Sequence, residues 1–181
     1  FPQILRRTLG GEIETENLTM AEARLDDGQT IRALNDLFIG RKTHVSAKYT
    51  MDYRGMKERQ SSSGIIVSTG TGSTGWMTSV VTGAQAIANG EYQPNEDAPF
   101  KRDADYLLYS VREPFPSKIT GTDLVYGKIS DRAPLKIESN MPDEGVIFGD
   151  GIERDYLEFT SGRTATIQPS DQKVYLVRDN S

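Results

Sequence analysis

From His44 to Tyr53 polar and apolar side chains alternate without a break. Val45, Ala47, Tyr49, Met51 and Tyr53 fall on one side, and His44, Ser46, Lys48, Thr50 and Asp52 on the other. A period of two over that length predicts a β-strand with one buried face, because helical apolar positions recur every three or four residues instead. Arg54-Gly55 then supplies a turn. Before it, Asp27-Gly28 separates Thr19 to Leu25 from Thr30 to Gly40, and Asp-Gly between apolar stretches predicts a hairpin. Further short strands are expected at Gly64 to Ser68, Tyr106 to Val111, Pro134 to Glu138, Gly145 to Phe148, Asp155 to Phe159, Arg163 to Ile167 and Lys173 to Val177. Turn residues part the later ones, among them Ser161-Gly162 and Pro169-Ser170-Asp171. One stretch has helical spacing: Trp76, Val80, Ala84 and Ala88 share a face, with Met77, Val81 and Ile87 beside it. Gly83 inside that stretch costs roughly 1 kcal/mol relative to alanine, so packing is expected to compensate. Asn89 to Asp105 is polar and contains proline, which predicts a long loop. The expected fold is mainly β, a two-sheet β-sandwich-like domain with one amphipathic helix after a Gly/Thr-rich turn.

The formal charge of −5, with no basic cluster, excludes a general nucleic-acid binder, since phosphate neutralisation supplies most of that affinity. No apolar run approaches the roughly 20 residues needed to span a bilayer. There is no cysteine, hence no disulfide, thiolate nucleophile or cysteine metal site, as suits a reducing compartment and equally a periplasmic protein. The chain opens on Phe1-Pro2 with no methionine, which is expected of a piece of something longer.

The segment richest in chemistry is Ser68-Thr69-Gly70-Thr71-Gly72-Ser73-Thr74-Gly75-Trp76, between an expected strand and the helix. Glycines let backbone approach a ligand closely, a helix start offers unpaired N–H groups, and the hydroxyls suit ribose and base edges. Gly70, Gly72 and Gly75 formally spell the G-x-G-x-x-G dinucleotide fingerprint, but no second parallel strand follows the helix, so the Rossmann reading fails. The plainer reading is a flexible turn with Ser73 or Thr74 as helix cap.

Leu34-Asn35-Asp36-Leu37-Phe38-Ile39, followed by Gly64-Ile65-Ile66-Val67-Ser68-Thr69-Gly70-Thr71-Gly72-Ser73-Thr74-Gly75-Trp76, resembles the carboxy-terminal half of NAD kinases. That family has an Asn-Glu pair on one strand and, further on, a D-G-[LIV]-x-[LIV]-S-T-P-T-G-S-T-A-Y segment. The tryptophan and T-G-T-G-S look like the mitochondrial-type branch, as do Leu108 to Pro114 and Gly149-Asp150-Gly151. The resemblance implies an NAD site. Asn35 would bond the ribose hydroxyls, with Asp36 in support near the diphosphate and magnesium. Thr71, Gly72, Thr74 and Gly75 would meet the adenosine end, Trp76 would pack beside it, and Ser79 would stand one turn into the helix. Asp150 would line the site, although Gly-Asp-Gly is also an ordinary turn.

Four positions depart from the family pattern: Asp36 replaces glutamate, Ser63 stands for aspartate, Gly70 for proline and Gly75 for alanine. The family's G-G-D-G-T motif, which binds ATP phosphates and supplies the catalytic aspartate, is absent from this sequence. In the family it lies in an amino-terminal α/β domain. Residues 1–17 are accordingly expected to be the lead-in from that domain and 18–181 the NAD-binding β-rich domain. The implied function is phosphorylation of the adenosine 2′-hydroxyl of NAD, with ATP and magnesium, by the complete protein. This part is expected to bind without catalysing and to supply no metal ligand of its own. Its implied partners are NAD, its own N-terminal domain and further copies in a homodimer or tetramer, in the cytoplasm or the mitochondrial matrix. Two other readings stay open: a diacylglycerol-type lipid kinase with an apolar groove, and a β-rich ligand-binding or assembly module without chemistry.

Other residues take bland readings. His44, the only histidine, is expected on an exposed face. Asp26-Asp27 and Asp103 with Asp105 read as turn and loop acidity, and Arg112-Glu113 as a strand-end ion pair or dimer contact. Asn17-Leu18-Thr19 matches a glycosylation pattern that is empty without a secretory signal.

Overall fold

Strand β4 (Ala47–Tyr53) carries out the alternation: Ala47, Tyr49, Met51 and Tyr53 are buried, and Lys48 and Asp52 exposed. Val45, expected on the buried side, is 55% exposed, because the strand begins only at Ala47. The computed structural model describes residues 14–89 and 99–178, with Arg6, Gly10 and Gly11. The other strands are β1 (Glu14–Leu25), β2 (Thr30–Ala33), β3 (Asp36–Arg41), β5 (Met56–Ser62), β6 (Ile65–Ser68), β7 (Tyr106–Val111), β8 (Tyr126–Ser130), β9 (Leu135–Ser139), β10 (Gly145–Gly149), β11 (Tyr156–Glu158) and β12 (Thr164–Arg178). A single turn of 3-10 helix, Gly72–Thr74, leads into α1 (Trp76–Asn89).

The strands form two six-stranded sheets, β2-β1-β12-β9-β4-β5 and β11-β10-β3-β6-β7-β8. Their inner faces meet in one core. Leu37, Ile39, Ile65, Val67, Leu107, Tyr109 and Ile147 of the second sheet pack against Ala21, Ala23, Tyr49, Met51, Leu135, Ile137 and Ile167 of the first. This is the expected two-sheet sandwich, with α1 following the glycine-rich turn. The second sheet is covered again on its outer face, where Ile66 and Leu108 bury against Met77 of α1, with Trp76, Val80, Val81, Phe100 and Tyr106 packed around them. All four residues of β6 are buried for this reason, so its sequence reads as an apolar run rather than an alternation.

Several expectations are corrected. Thr30 to Gly40 is not one strand: β2 belongs to the first sheet and β3 to the second, and Leu34-Asn35 is the crossing between them. Pro169-Ser170-Asp171 does not end a strand. Strand β12 runs through it, and the register against β1 slips between Thr19 and Ala21, leaving a bulge. Glu14 to Asn17, placed in the lead-in, are the first residues of β1. Only the first half of α1 is packed, since Ile87 is 89% exposed and Ala84 and Ala88 face solvent. A Cβ at Gly83 would meet nothing within 4 Å among the described residues, so none of them packs there to compensate for that glycine. Of the long loop expected at 89–105, residues 90–98 lie outside the described residues.

Candidate functional site

The crossing between the sheets and the glycine-rich turn build one site together. Thr69, just after β6, donates its N–H to Asn35 O at 2.9 Å and its hydroxyl to Leu34 O at 2.5 Å. The same hydroxyl accepts Gly72 N at 3.2 Å. The turn is pressed so closely onto its neighbours that side chains are excluded. A Cβ on Gly70 would lie 1.9 Å from Lys101 O, and one on Gly72 2.1 Å from Asn35 O. Ser73 is buried, donating to Gly70 O at 2.8 Å and accepting Phe100 N at 3.2 Å, so it does not cap the helix. The G-x-G-x-x-G spacing thus follows a strand of an antiparallel sheet, as the rejection of a Rossmann unit requires.

Asp150 closes the crossing from the other side. Its carboxylate accepts Leu34 N at 2.9 Å and Asn35 N at 2.6 Å, and its own N–H donates to Asp36 O at 2.9 Å. To do so it sits at φ +53°, a left-handed conformation that Asp and Asn tolerate better than most residues.

These segments border an open cleft of about 370 Å³ lined by Asn35, Asp36, Thr71, Gly72, Thr74, Gly75, Trp76, Asp150 and Gly151. Eight of the nine residues singled out from sequence are brought together there, Asn35 and Thr74 among them. Ser79 is not. It lines a neighbouring apolar groove of about 740 Å³ with Val80, Ala84, Ile87, Val111 and Val125, because one helical turn carries it away from the cleft. On the turn that lines the cleft, the Thr71 hydroxyl is buried with no hydrogen-bond partner among the described residues, an unusual state for a polar atom. The Asp36 carboxylate takes no hydrogen bond or ion pair from the described residues. Burial, and then the nearby Asp150 charge, raise its carboxyl above the ordinary carboxylate value. Trp76 forms a flat wall: its ring stacks on Phe38 at 5.9 Å and 9°, and the Arg112 guanidinium lies 5.5 Å from it.

Beyond Trp76 lies a larger cleft of about 720 Å³ that includes Phe38, Arg41, Lys42, Ser63, Arg112 and Phe148. Sequence reading did not find it. A signal existed in Gly40 and Gly64, where a Cβ would press into the Phe38 ring at 2.6 and 2.8 Å. His44 is exposed as expected and borders this cleft. Arg112 forms no ion pair with Glu113 among the described residues; it faces Trp76 instead. Asp26 and Asp27 are turn residues paired with Arg163.

No family model matches this sequence, and no curated protein matches it by sequence. Among solved structures it is similar to yeast NADH kinase, in a crystal structure complexed with NADH, with a TM-score of 0.72 at 14% identity. The match covers 99% of this chain and 48% of that one, so the chain spans about half the length of the kinase. At that identity the likeness establishes the fold, a mainly β pair of antiparallel sheets with one helix, shared with yeast NADH kinase.

Proposed function

We propose that this chain is the dinucleotide-binding half of an NAD(H) kinase, whose complete protein moves the γ-phosphoryl group of ATP onto the adenosine 2′-hydroxyl. The observation that carries the reading is the cleft, which Asn35, Asp36, Thr71 and Trp76 line together, with the Asp36 carboxylate unpaired among the described residues. The Asn35 amide offers both donor and acceptor to a ribose diol. Thr71, Thr74 and Gly75, on the same turn, would read the adenosine end. Trp76 supplies an aromatic face to pack against. The fold of yeast NADH kinase, seen with NADH, is consistent with this use. The reactive aspartate and the ATP phosphate contacts then come from the N-terminal domain, and a homodimer or tetramer is the assembly the resemblance implies.

Magnesium, which the resemblance also implies, finds no site in these residues alone. No three ligating side chains gather among the described residues, and both Asp150 oxygens already take backbone N–H groups. No helix among the described residues is long and apolar enough to cross a membrane.

The apolar groove beside Trp76, lined by Val80, Ala84, Val111 and Val125, favours a second reading, the diacylglycerol-type lipid kinase. One experiment separates the two. The full-length protein is incubated with ATP and either NAD, NADH or diacylglycerol in mixed micelles, and phosphorylated product is measured. The proposal expects NADP or NADPH and no phosphatidate; phosphatidate alone would establish the lipid reading, and no product from any substrate would contradict both.

A further inference from the structure

Asn35 does not sit on a regular strand, and nothing in its own sequence neighbourhood fixes it. It lies at the crossing between the two sheets, where backbone N–H groups lose their ladder partners. The carboxylate of Asp150 meets that need, with one oxygen on Leu34 N at 2.9 Å and the other on Asn35 N at 2.6 Å. Charge-assisted bonds of this kind are roughly twice as strong as neutral ones. The loop that supplies the carboxylate is itself tied back, through Asp150 N to Asp36 O at 2.9 Å and Ile152 N to Gly149 O at 3.0 Å. From the opposite side Thr69 holds Leu34 O and Asn35 O. With both oxygens engaged by backbone, Asp150 is poorly placed to bond a ligand directly.

We infer that Asp150 is a positioning residue, whose carboxylate clamps the Leu34-Asn35 crossing and so aims the Asn35 amide into the cleft, and that it acts on dinucleotide affinity only through Asn35. This rests on the dinucleotide reading above. It assigns Asp150 a task other than the ligand contact expected from sequence.

The test is a double-substitution cycle on the protein, reading NAD and NADH affinity by titration, beside amide NMR shifts of Leu34 and Asn35. Asp150→Gly removes the carboxylate and suits the left-handed backbone; Asp150→Asn keeps the shape and one acceptor, and serves if the glycine variant does not fold. Asp150→Gly is expected to weaken binding about tenfold, the scale of losing hydrogen bonds to a charged group. In the Asn35→Ala background it should cost almost nothing further, and the Leu34 and Asn35 amide resonances should move upfield in both Asp150 variants. Losses that multiply across the cycle would mean a direct ligand contact and overturn the inference, as would amide resonances that stay in place. If the unsubstituted protein binds neither dinucleotide, the functional reading fails and the positioning role with it; unmoved amides in a protein that does bind defeat the clamp alone.

Discussion

Glu22 and Asp36 are both carboxylates drawn out of bulk water, one in each sheet, and the fold treats them in opposite ways. The Glu22 side chain is only 4% exposed, yet it is fully matched: Arg24 lies at 2.9 Å, Arg32 at 2.8 Å and the Ser170 hydroxyl at 3.4 Å. Burial pushes its carboxyl up, and the Arg24 and Arg32 contacts outweigh that and hold it below the ordinary value. Asp36 has no such partner among the described residues and a second carboxylate nearby, so burial and the Asp150 charge both push it up. A carboxylate neutralised by its own fold is a strut. One left bare in a cleft, beside an unpartnered hydroxyl, is stabilised only when something else arrives, and strain of that kind collects at functional sites.

The largest effect is expected at the turn that lines the cleft with Asp36. Gly72→Ala would set a Cβ 2.1 Å from Asn35 O, which is backbone and cannot swing aside. A loss of about 2–4 kcal/mol in chemical denaturation, together with loss of dinucleotide binding, is expected. Next in size is Glu22→Gln. It leaves Arg24 and Arg32 partly solvated, so a loss of about 1–2 kcal/mol at neutral pH is expected, with dinucleotide affinity unchanged. Because the folded value of Glu22 is depressed, that stabilisation is complete above the ordinary 4.5 and vanishes as pH falls through the folded value. Denaturation of both proteins from pH 7 to pH 3 should show their curves converging at the acid end.

Asp36→Asn sharpens the contrast by having the opposite sign. Its folded value is raised above 3.8, so the ionised side chain weakens the fold at neutral pH, and the penalty is relieved as pH falls through the raised value. The variant is expected to be more stable at pH 7 by up to about 1 kcal/mol, to lose that advantage at acid pH, and to bind dinucleotide less well. The smallest effect belongs to Ser79→Ala. Its hydroxyl bonds Gly75 O at 3.3 Å and lies outside the cleft, so affinity should change by less than about twofold.

How far the sequence spoke followed the same physical line between what is buried on one side and what is not. The alternation of β4 was legible because its face packs into the core. The missed strands, β5 with Met56 to Ser62 and β8 with Tyr126 to Ser130, are both sheet edges, where polar residues pair through backbone and little apolar pattern is needed. The crossing at Leu34-Asn35 was invisible because Leu37 and Ile39 continue an apolar rhythm across it. Within the site, Gly70, Gly72 and the threonines carried their own chemistry. Asp150 did not, since its task depends on backbone groups 115 and 116 residues away. Ser79 failed for the converse reason: spacing from Trp76 along a helix predicts a face, but the cleft ends at the helix's first residue.

In the function proposed above, this cleft holds the adenosine end of a pyridine dinucleotide against Trp76, the single tryptophan of this sequence. Titrating the protein with NAD while following its tryptophan emission reads that contact directly. A saturable change in emission is expected, lost or strongly weakened in Asn35→Ala. An emission that stays flat, or that changes equally in the Asn35→Ala protein, would contradict it.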